Sequence, residues 1–169
     1  WQKKIIQLLK PKIALTPSPA LNKFWNSINI DNELIPLLTD LKVFKSIEST
    51  TSKKELREKY GLPIDKFIVS HMGHLNDGRN LKSLIPVQKS NVQVVIVGSS
   101  STPIDAKGLK SLKDELINSG IIIIENYIDH IEEVYQLSDA YIFPVVKNNS
   151  SIGMPLSILE ARACAIPVI

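Results

Sequence analysis

From Ser52 onward, short runs of β-branched residues alternate with segments whose apolar residues recur at the helical period of 3.6. A chain with this alternation folds most readily as a parallel sheet in which a helix follows each strand. We predict strands over residues 67–71, 92–97, 121–124, 140–143 and 166–169. Because these runs are almost wholly apolar, both faces of the sheet must be covered. The predicted fold class is therefore α/β, a parallel sheet with helices on both faces.

Capping residues and prolines predict where the helices begin and bend. Ser52 and Glu55 have the capping-box spacing ahead of one helix, and Asp129 and Glu132 have it ahead of another. Pro86 interrupts the helical segment after the first predicted strand, so we expect a short or kinked helix there.

Residues 1–50 follow a different pattern, with two helical segments, two short strand-like runs and then a polar stretch rich in Ser and Thr. We interpret them as the end of a preceding N-terminal domain and an interdomain linker, and residues 51–169 as the main domain. The final run, residues 166–169, is an apolar strand whose ladder groups would be left unpaired at a chain end. We therefore expect a piece of a longer protein, with the main domain incomplete at its C-terminus.

Charge and hydropathy exclude several classes of protein. The 169 residues hold 20 basic and 17 acidic side chains, a formal net charge of +3 without a long basic block, so no nucleic-acid partner is expected. No apolar run approaches the roughly 18 residues of a spanning helix, which leaves at most peripheral membrane contact. Because Cys164 is the lone cysteine and no secretory leader opens the chain, we expect a cytoplasmic protein.

Ligands of a parallel sheet bind beyond the carboxyl ends of its strands, so the residues that follow each strand are the candidates for a site. Gly73, His74 and Arg79 follow the first predicted strand. The glycine would let the backbone approach a ligand, and the two cations would suit a phosphate. On residue type alone, Gly73 could equally serve only a turn, and both cations could be solvated.

The turns after the second and third strands are weaker candidates. Gly98 follows the second strand without a GxGxxG pattern, so nothing points to a nicotinamide cofactor. Asn126 follows the third strand and is predicted to adopt a left-handed backbone conformation. Tyr127 either packs in the core or borders a nucleotide base.

The last turn is the most informative. Gly153 precedes a helix predicted to begin at Pro155, and a helix N-terminus presents backbone N–H groups to a diphosphate or a sugar hydroxyl. Glu160, in the second turn of that helix, either accepts hydrogen bonds from a ribose or is a solvated charge. No cluster of His, Asp and Glu has the spacing of metal ligands, so neither a metal nor another cofactor is expected.

The order of these motifs resembles the family-4 (group 1) glycosyltransferases of the GT-B fold, mainly their C-terminal, donor-binding domain. Residues 153–169, GMPLSILEARACAIPVI, are similar to the specific family motif EGMPLSLLEAMACGxPVI. Weaker matches precede it in the family order, at residues 73–75 (GHL), 95–98 (VIVG), 126–128 (NYI) and 138–144 (SDAYIFP). Residues 35–36 and 43–44 resemble the hinge between the two domains. The resemblance thus covers nearly the whole chain.

The resemblance implies a Rossmann-like, nucleotide-sugar-binding domain of a retaining, metal-independent enzyme that moves a hexose from a nucleoside diphosphate sugar to an acceptor. In that scheme Arg79 and His74 are the catalytic cations that meet the phosphates. The donor-binding residues would be Gly73, Gly98, Asn126, Tyr127, Gly153, Met154, Pro155, Leu156 and Glu160. The acceptor stays open between lipid-linked and polysaccharide or glycoconjugate classes, and this part of the protein alone is expected to be inactive.

Several departures from the family pattern keep a rival interpretation open. The family usually has Arg in place of His74, Lys in place of Arg79 and Gly in place of Asn126 and Ala165. It also has a glutamate that faces the donor sugar where this chain has Ile152. The alternative is a non-catalytic GT-B module that binds or scaffolds a partner. A nucleotide-sugar epimerase has little support, because we find no candidate catalytic acids.

Overall fold

The computed structural model describes residues 2–9, 11–47, 50–99, 106–146 and 155–169. Its strands are β1 (Ala14–Thr16), β2 (Asn32–Leu34), β3 (Phe67–His74), β4 (Val92–Ser99), β5 (Ile122–Ile124) and β6 (Ala140–Tyr141). Its α-helices are α1 (Gln2–Leu9), α2 (Pro19–Asn26), α3 (Thr50–Lys59), α4 (Ala106–Asn118), α5 (Ile131–Leu137) and α6 (Leu156–Ala163). Two 3-10 helices, Asp77–Arg79 and Leu81–Val87, follow β3.

The main sheet is parallel, with the strand order β5–β4–β3–β6. The end of the chain extends it beyond β6, because Val168 forms a parallel bridge with Tyr141 and the Phe143 amide donates to the Ile169 carbonyl. Four of the five predicted strands are therefore present as strands of the sheet, and the fifth, at residues 166–169, contributes only this bridge and its hydrogen bonds. Two of the four strands run further than predicted, so that Gly73 and Gly98 lie within β3 and β4 and not in turns.

Helices cover both faces of the main sheet, as the apolar strands predicted. On one face, Ile68 packs with Leu62 and with Leu137 of α5. On the other face, Val94 and Ile96 pack with Leu84 of the second 3-10 helix and with α4. The inner residues of α4 are Leu112 and Leu116, which are almost fully buried. This is the predicted α/β, Rossmann-like architecture.

The predicted helix starts need correction. α3 begins at Thr50, so Ser52 lies inside the helix and does not cap it. The N-cap of α5 is His130 and not Asp129, and no side chain caps that end. Pro86 does lie in a short helix, and that helix is of the 3-10 type and not an α-helix.

A small parallel sheet of β1 and β2 precedes the main sheet and has its own apolar core, formed by Ala14, Ile28 and Ile30. The segment after it reaches the main sheet. Phe44 lies edge-on against Tyr135 with ring centroids 6.0 Å apart, and Gln136 donates to the Lys45 carbonyl. The division into a preceding domain and a main domain stays a prediction.

Among the described residues, no helix has the length and apolarity needed to cross a membrane.

A charged network ties α3 to the sheet. Asp139 accepts hydrogen bonds from Arg57 at 2.6 Å, from Lys53 at 2.7 Å and from the Ile68 amide at 2.7 Å. The almost fully buried Arg57 also donates to the Leu137 carbonyl. Burial alone would raise the pKa of Asp139, but these donors and their charges outweigh burial and hold that pKa below its ordinary value.

Candidate functional site

Six of the predicted site residues line one cavity of about 580 Å³ beyond the carboxyl ends of β3, β4 and β5. They are Gly73, His74, Arg79, Gly98, Asn126 and Tyr127. The remaining described residues of its wall are Met72, Val97, Glu125, Ile128, Asp129 and Ile131. The structure therefore brings together candidates from the ends of three separate strands, as the parallel topology predicted.

The two glycines form adjacent parts of the cavity floor, because Gly73 pairs with Gly98 in the register of β3 and β4. A β-carbon on Gly98 would lie 2.5 Å from Cγ of the buried Leu75, so this position needs a glycine for close packing. A β-carbon on Gly73 would lie 3.1 Å from Nε2 of His71. Neither glycine has a positive φ. The alternative in which these glycines serve only a turn is therefore wrong, and what they supply is space for neighbouring side chains.

Arg79 is held at the edge of the cavity by its neighbours. Its guanidinium carbon lies 5.9 Å from the ring centroid of Phe143, and its backbone N–H donates to the Asn76 carbonyl. Asn80 adopts a left-handed conformation with a φ of 55° and donates from its side chain to the Pro144 carbonyl. Among the described residues no carboxylate pairs with Arg79, so its charge is available to an anion.

The turn after β5 forms the opposite wall. Tyr127 is 89% exposed, so the interpretation as a core residue is wrong and the ring is free to contact a ligand. Asn126 does not have the left-handed conformation that we predicted, which occurs instead at Asn29, Asn80 and Ala165 among the non-glycine residues described. The reason is that β5 leaves the sheet through an ordinary bend, which needs no positive φ.

Two acidic residues of this wall were not predicted. Glu125, which pairs with Lys113, and the exposed Asp129 place carboxylates around the turn. The sequence signal was the position of Glu125 directly after a buried strand. In the described part of the chain, no group of three His, Cys, Asp or Glu side chains is placed to hold a metal ion.

The last turn is only partly described. Gly153, Met154 and Ile152 lie outside the described residues. Pro155 is the N-cap of α6 and Leu156 its first residue, so the predicted helix start is one residue early. Neither is among the described residues of the cavity wall.

Glu160 likewise is not among the described residues of the wall, and it is no fully solvated charge. Its Oε2 accepts a hydrogen bond of 2.6 Å from the hydroxyl of the buried Tyr135. Burial, together with the Glu160 carboxylate, raises the pKa of Tyr135, so this phenol stays a donor. The carboxylate is thereby fixed in orientation between α5 and α6.

His71 is a buried polar residue behind the cavity that the sequence analysis did not single out. Its Nδ1 lies 2.9 Å from the Ile142 carbonyl oxygen, whereas its Nε2 is buried without a hydrogen-bond partner. Burial lowers the pKa of His71 to about 4, with a smaller effect of the Arg79 charge, so the ring is neutral at ordinary pH. The available signal was a polar residue inside an apolar strand.

Comparison with known proteins identifies the family of this chain. Residues 72–169 match the sequence model of the family described as glycosyl transferases group 1. This chain belongs to the group 1 glycosyltransferases. It is 27% identical over 143 residues to TuaC of Bacillus subtilis strain 168, whose name assigns it to teichuronic acid biosynthesis as a glycosyltransferase. That match covers 82% of this chain and 33% of TuaC.

Two solved structures share the fold of this chain. HepE (Alr3699) of Anabaena, solved in complex with UDP and glucose, superimposes with a TM-score of 0.77 at 15% identity, over 99% of this chain and 48% of HepE. WaaG, a glycosyltransferase involved in lipopolysaccharide biosynthesis, has a TM-score of 0.64 at 17% identity, over 92% of this chain and 42% of WaaG. The chain thus spans less than half the length of these relatives.

Proposed function

We propose that this chain is the donor-nucleotide half of a retaining, metal-independent glycosyltransferase that moves a hexose from a nucleoside diphosphate sugar to an acceptor. The observation that carries the proposal is the single cavity in which Gly73, Gly98, Arg79 and the turn at Asn126 and Tyr127 converge. This cavity lies where parallel sheets bind nucleotides. The family to which the chain belongs supports the same activity.

The phosphate end of the donor would lie against β3 and the first 3-10 helix. The planar guanidinium of Arg79 offers several N–H donors to diphosphate oxygens, and the exposed His74 lies at the same edge. Gly73 and Gly98 line the same cavity beside these cations. When the glycosidic bond to the diphosphate breaks, negative charge develops on the leaving oxygens, and these fixed donors stabilise it.

The nucleoside end would lie against the turn after β5. The exposed ring of Tyr127 can stack on a base, and the neighbouring backbone can meet the base edge. Glu160, oriented by Tyr135, would accept from the ribose hydroxyls. Because HepE is solved with UDP and glucose, UDP and UDP-glucose are the first ligands to test.

The experiment for the phosphate end is calorimetric titration of the full-length protein with UDP. Replacing Arg79 with Ala removes hydrogen bonds to a charged group, so we expect UDP binding to weaken by about 1.5–3 kcal/mol. Lys82→Ala is the matched control, because Lys82 is a cation of the next 3-10 helix that pairs with Glu115 outside the cavity. Equal UDP affinity of Arg79→Ala and the parent would remove Arg79 from the site.

A second candidate function, a non-catalytic module that binds the donor without turnover, is favoured by one sequence feature. Ile152 stands where the family glutamate faces the sugar. If that carboxylate is all that is missing, Ile152→Glu should raise sugar transfer. If the native loop already holds the sugar, a new unpaired charge there should lower activity or stability.

The acceptor and the compartment are also part of the proposal. We infer a cytoplasmic enzyme whose acceptor is a lipid-linked or polymeric glycan bound largely outside residues 51–169. The relation to TuaC makes a growing polysaccharide the first acceptor class to test. Fractionation of cells and transfer to such acceptors would check the two inferences separately.

A further inference from the structure

His71 has no part in the proposed donor contacts, yet its surroundings are unusual. It lies in the centre of β3 and is fully buried, with its ring near parallel to that of Tyr141 and tilted against that of Phe143. Buried polar atoms in proteins are nearly always hydrogen-bonded, so the unpartnered Nε2 needs a physical explanation.

The hydrogen bond at Nδ1 fixes which nitrogen carries the proton. A carbonyl oxygen only accepts, so the 2.9 Å contact with Ile142 requires a proton on Nδ1. In the neutral ring, Nε2 then presents a lone pair and is a pure acceptor. The partner that His71 lacks is therefore a donor.

A candidate donor lies across Gly73. The point where a β-carbon of Gly73 would be is 3.1 Å from Nε2 of His71 and 3.7 Å from the guanidinium carbon of Arg79. Both side chains therefore converge on the same small space, which is open only because residue 73 has no side chain. The Phe143 ring lies beside both of them.

We propose that His71 is a positioning residue for Arg79, its Nε2 accepting one guanidinium N–H across the space above Gly73. That bond leaves the other N–H groups of Arg79 directed into the cavity, where the diphosphate is proposed to bind. The inference rests on the proposed function in one respect, the assignment of Arg79 to the phosphates. It also gives Gly73 a role, since a larger residue would separate the acceptor from the donor.

Two substitutions at His71 separate the role of Nε2 from that of Nδ1. The amide of Asn lies near the position of Nδ1, so His71→Asn keeps a donor for Ile142 and removes the acceptor. The amide of Gln extends to the position of Nε2, so His71→Gln keeps an acceptor for Arg79. A purely structural role of His71 would make His71→Asn the milder change, whereas the positioning role makes His71→Gln the milder one.

The binding test compares the affinity of the full-length protein for UDP with its affinity for uridine, which lacks the phosphates. We expect His71→Asn to weaken UDP binding about fivefold, the scale of one lost hydrogen bond, and to leave uridine binding unchanged. His71→Gln should bind UDP within about twofold of the parent. Adding His71→Asn to Arg79→Ala should cause no further loss, because the two residues act through one contact. Additive losses, or equal losses for Asn and Gln, would overturn the inference.

A second measurement needs no nucleotide. It uses a substitution of Arg79, at the edge of the cavity, and leaves the buried His71 in place. In ¹⁵N imidazole NMR spectra, we expect the Nε2 resonance of His71 to differ between the parent and Arg79→Ala, with Lys82→Ala as the unchanged control. An identical Nε2 resonance in all three proteins would refute the contact. If the parent binds neither UDP nor any other nucleoside diphosphate, the proposed function fails and this measurement still decides the inference. If Arg79→Ala weakens UDP binding but His71→Asn does not, the inference alone fails.

Discussion

Ala165 carries a backbone conformation that its side chain disfavours. Its φ of 58° is left-handed, which costs an L-residue about 1–2 kcal/mol, and the family motif that the chain resembles has glycine there. We therefore expect Ala165→Gly to raise the free energy of unfolding by about 1 kcal/mol, measured by urea denaturation. Ala163→Gly is the control: Ala163 is the last residue of α6 and has no positive φ, so glycine should not raise stability there. A loss of stability in Ala165→Gly would show that the position is not strained.

Gly98 makes a different kind of residue-scale prediction. A β-carbon there would lie within about 3 Å of three side-chain atoms of Leu75, which belongs to the buried core beside β4. We expect Gly98→Ala to destabilise the protein by about 1–3 kcal/mol, the usual cost of overpacking. If the clash with Leu75 is the cause, Gly98→Ala should cost less in a Leu75→Ala background than in the parent, although Leu75→Ala alone also destabilises the core. Denaturation of the parent, the two single variants and the double variant checks this, and a neutral Gly98→Ala would contradict it.

At this scale the sequence located site residues better than it described their conformation. Gly73, Gly98 and Asn126 were identified as candidates from their positions after strands, and all three line the cavity. The left-handed conformation predicted for Asn126 was wrong, and neither glycine serves the turn that was considered as its alternative role. Residue type alone cannot tell a glycine that supplies a positive φ from one that makes room for a neighbour. His71 was missed for a related reason: its importance depends on Arg79, and only the folded chain brings the two together.

At the scale of elements, the Asp139 network is the contact most open to test. Asp139→Asn would leave the buried Arg57 without its anionic partner, so we expect a loss of about 2–3 kcal/mol at neutral pH. The pKa of Asp139 is lowered by folding, so its contribution is present above the unfolded pKa of about 3.9 and is lost as pH falls through the folded value. Stability measured against pH should therefore converge for the parent and the variant in acid. A constant difference across pH would show that charge is not the cause.

The strands could be predicted because short apolar runs of β-branched residues bounded by turn residues have few alternatives to a buried strand. Helix starts could not be predicted with the same success. Ser52 and Glu55 have the spacing of a capping box, yet α3 begins two residues earlier, at Thr50. The N-cap of α5 is His130 and not Asp129. The Tyr135 to Glu160 bond and the Arg57 to Asp139 pair join elements far apart in sequence, so no local pattern reports them.

At the scale of the whole molecule, the cavity depends on topology. Parallel strands bring the residues after β3, β4 and β5 to one edge of the sheet, and this is why the sequence could predict that they meet. The sequence could not predict that the Glu160 carboxylate is oriented by a hydrogen bond from the Tyr135 hydroxyl. Glu160→Gln should weaken UDP binding by about 1.5–3 kcal/mol and leave 2′,3′-dideoxy-UDP unaffected, if the carboxylate accepts from ribose. Calorimetry with both ligands checks this, and equal losses would contradict the ribose contact.

The central claim is that this chain binds the donor of a sugar-transfer reaction, and the most direct measurement is transfer itself. The full-length protein should be incubated with UDP-glucose and related sugar nucleotides, with and without glycan acceptors. Release of the nucleoside diphosphate and formation of glycan products are then measured. We predict sugar transfer, or slow donor hydrolysis without an acceptor, with both strongly reduced in Arg79→Ala and retained in Lys82→Ala. Donor binding without transfer or hydrolysis for any sugar nucleotide would contradict the enzyme and favour the non-catalytic module.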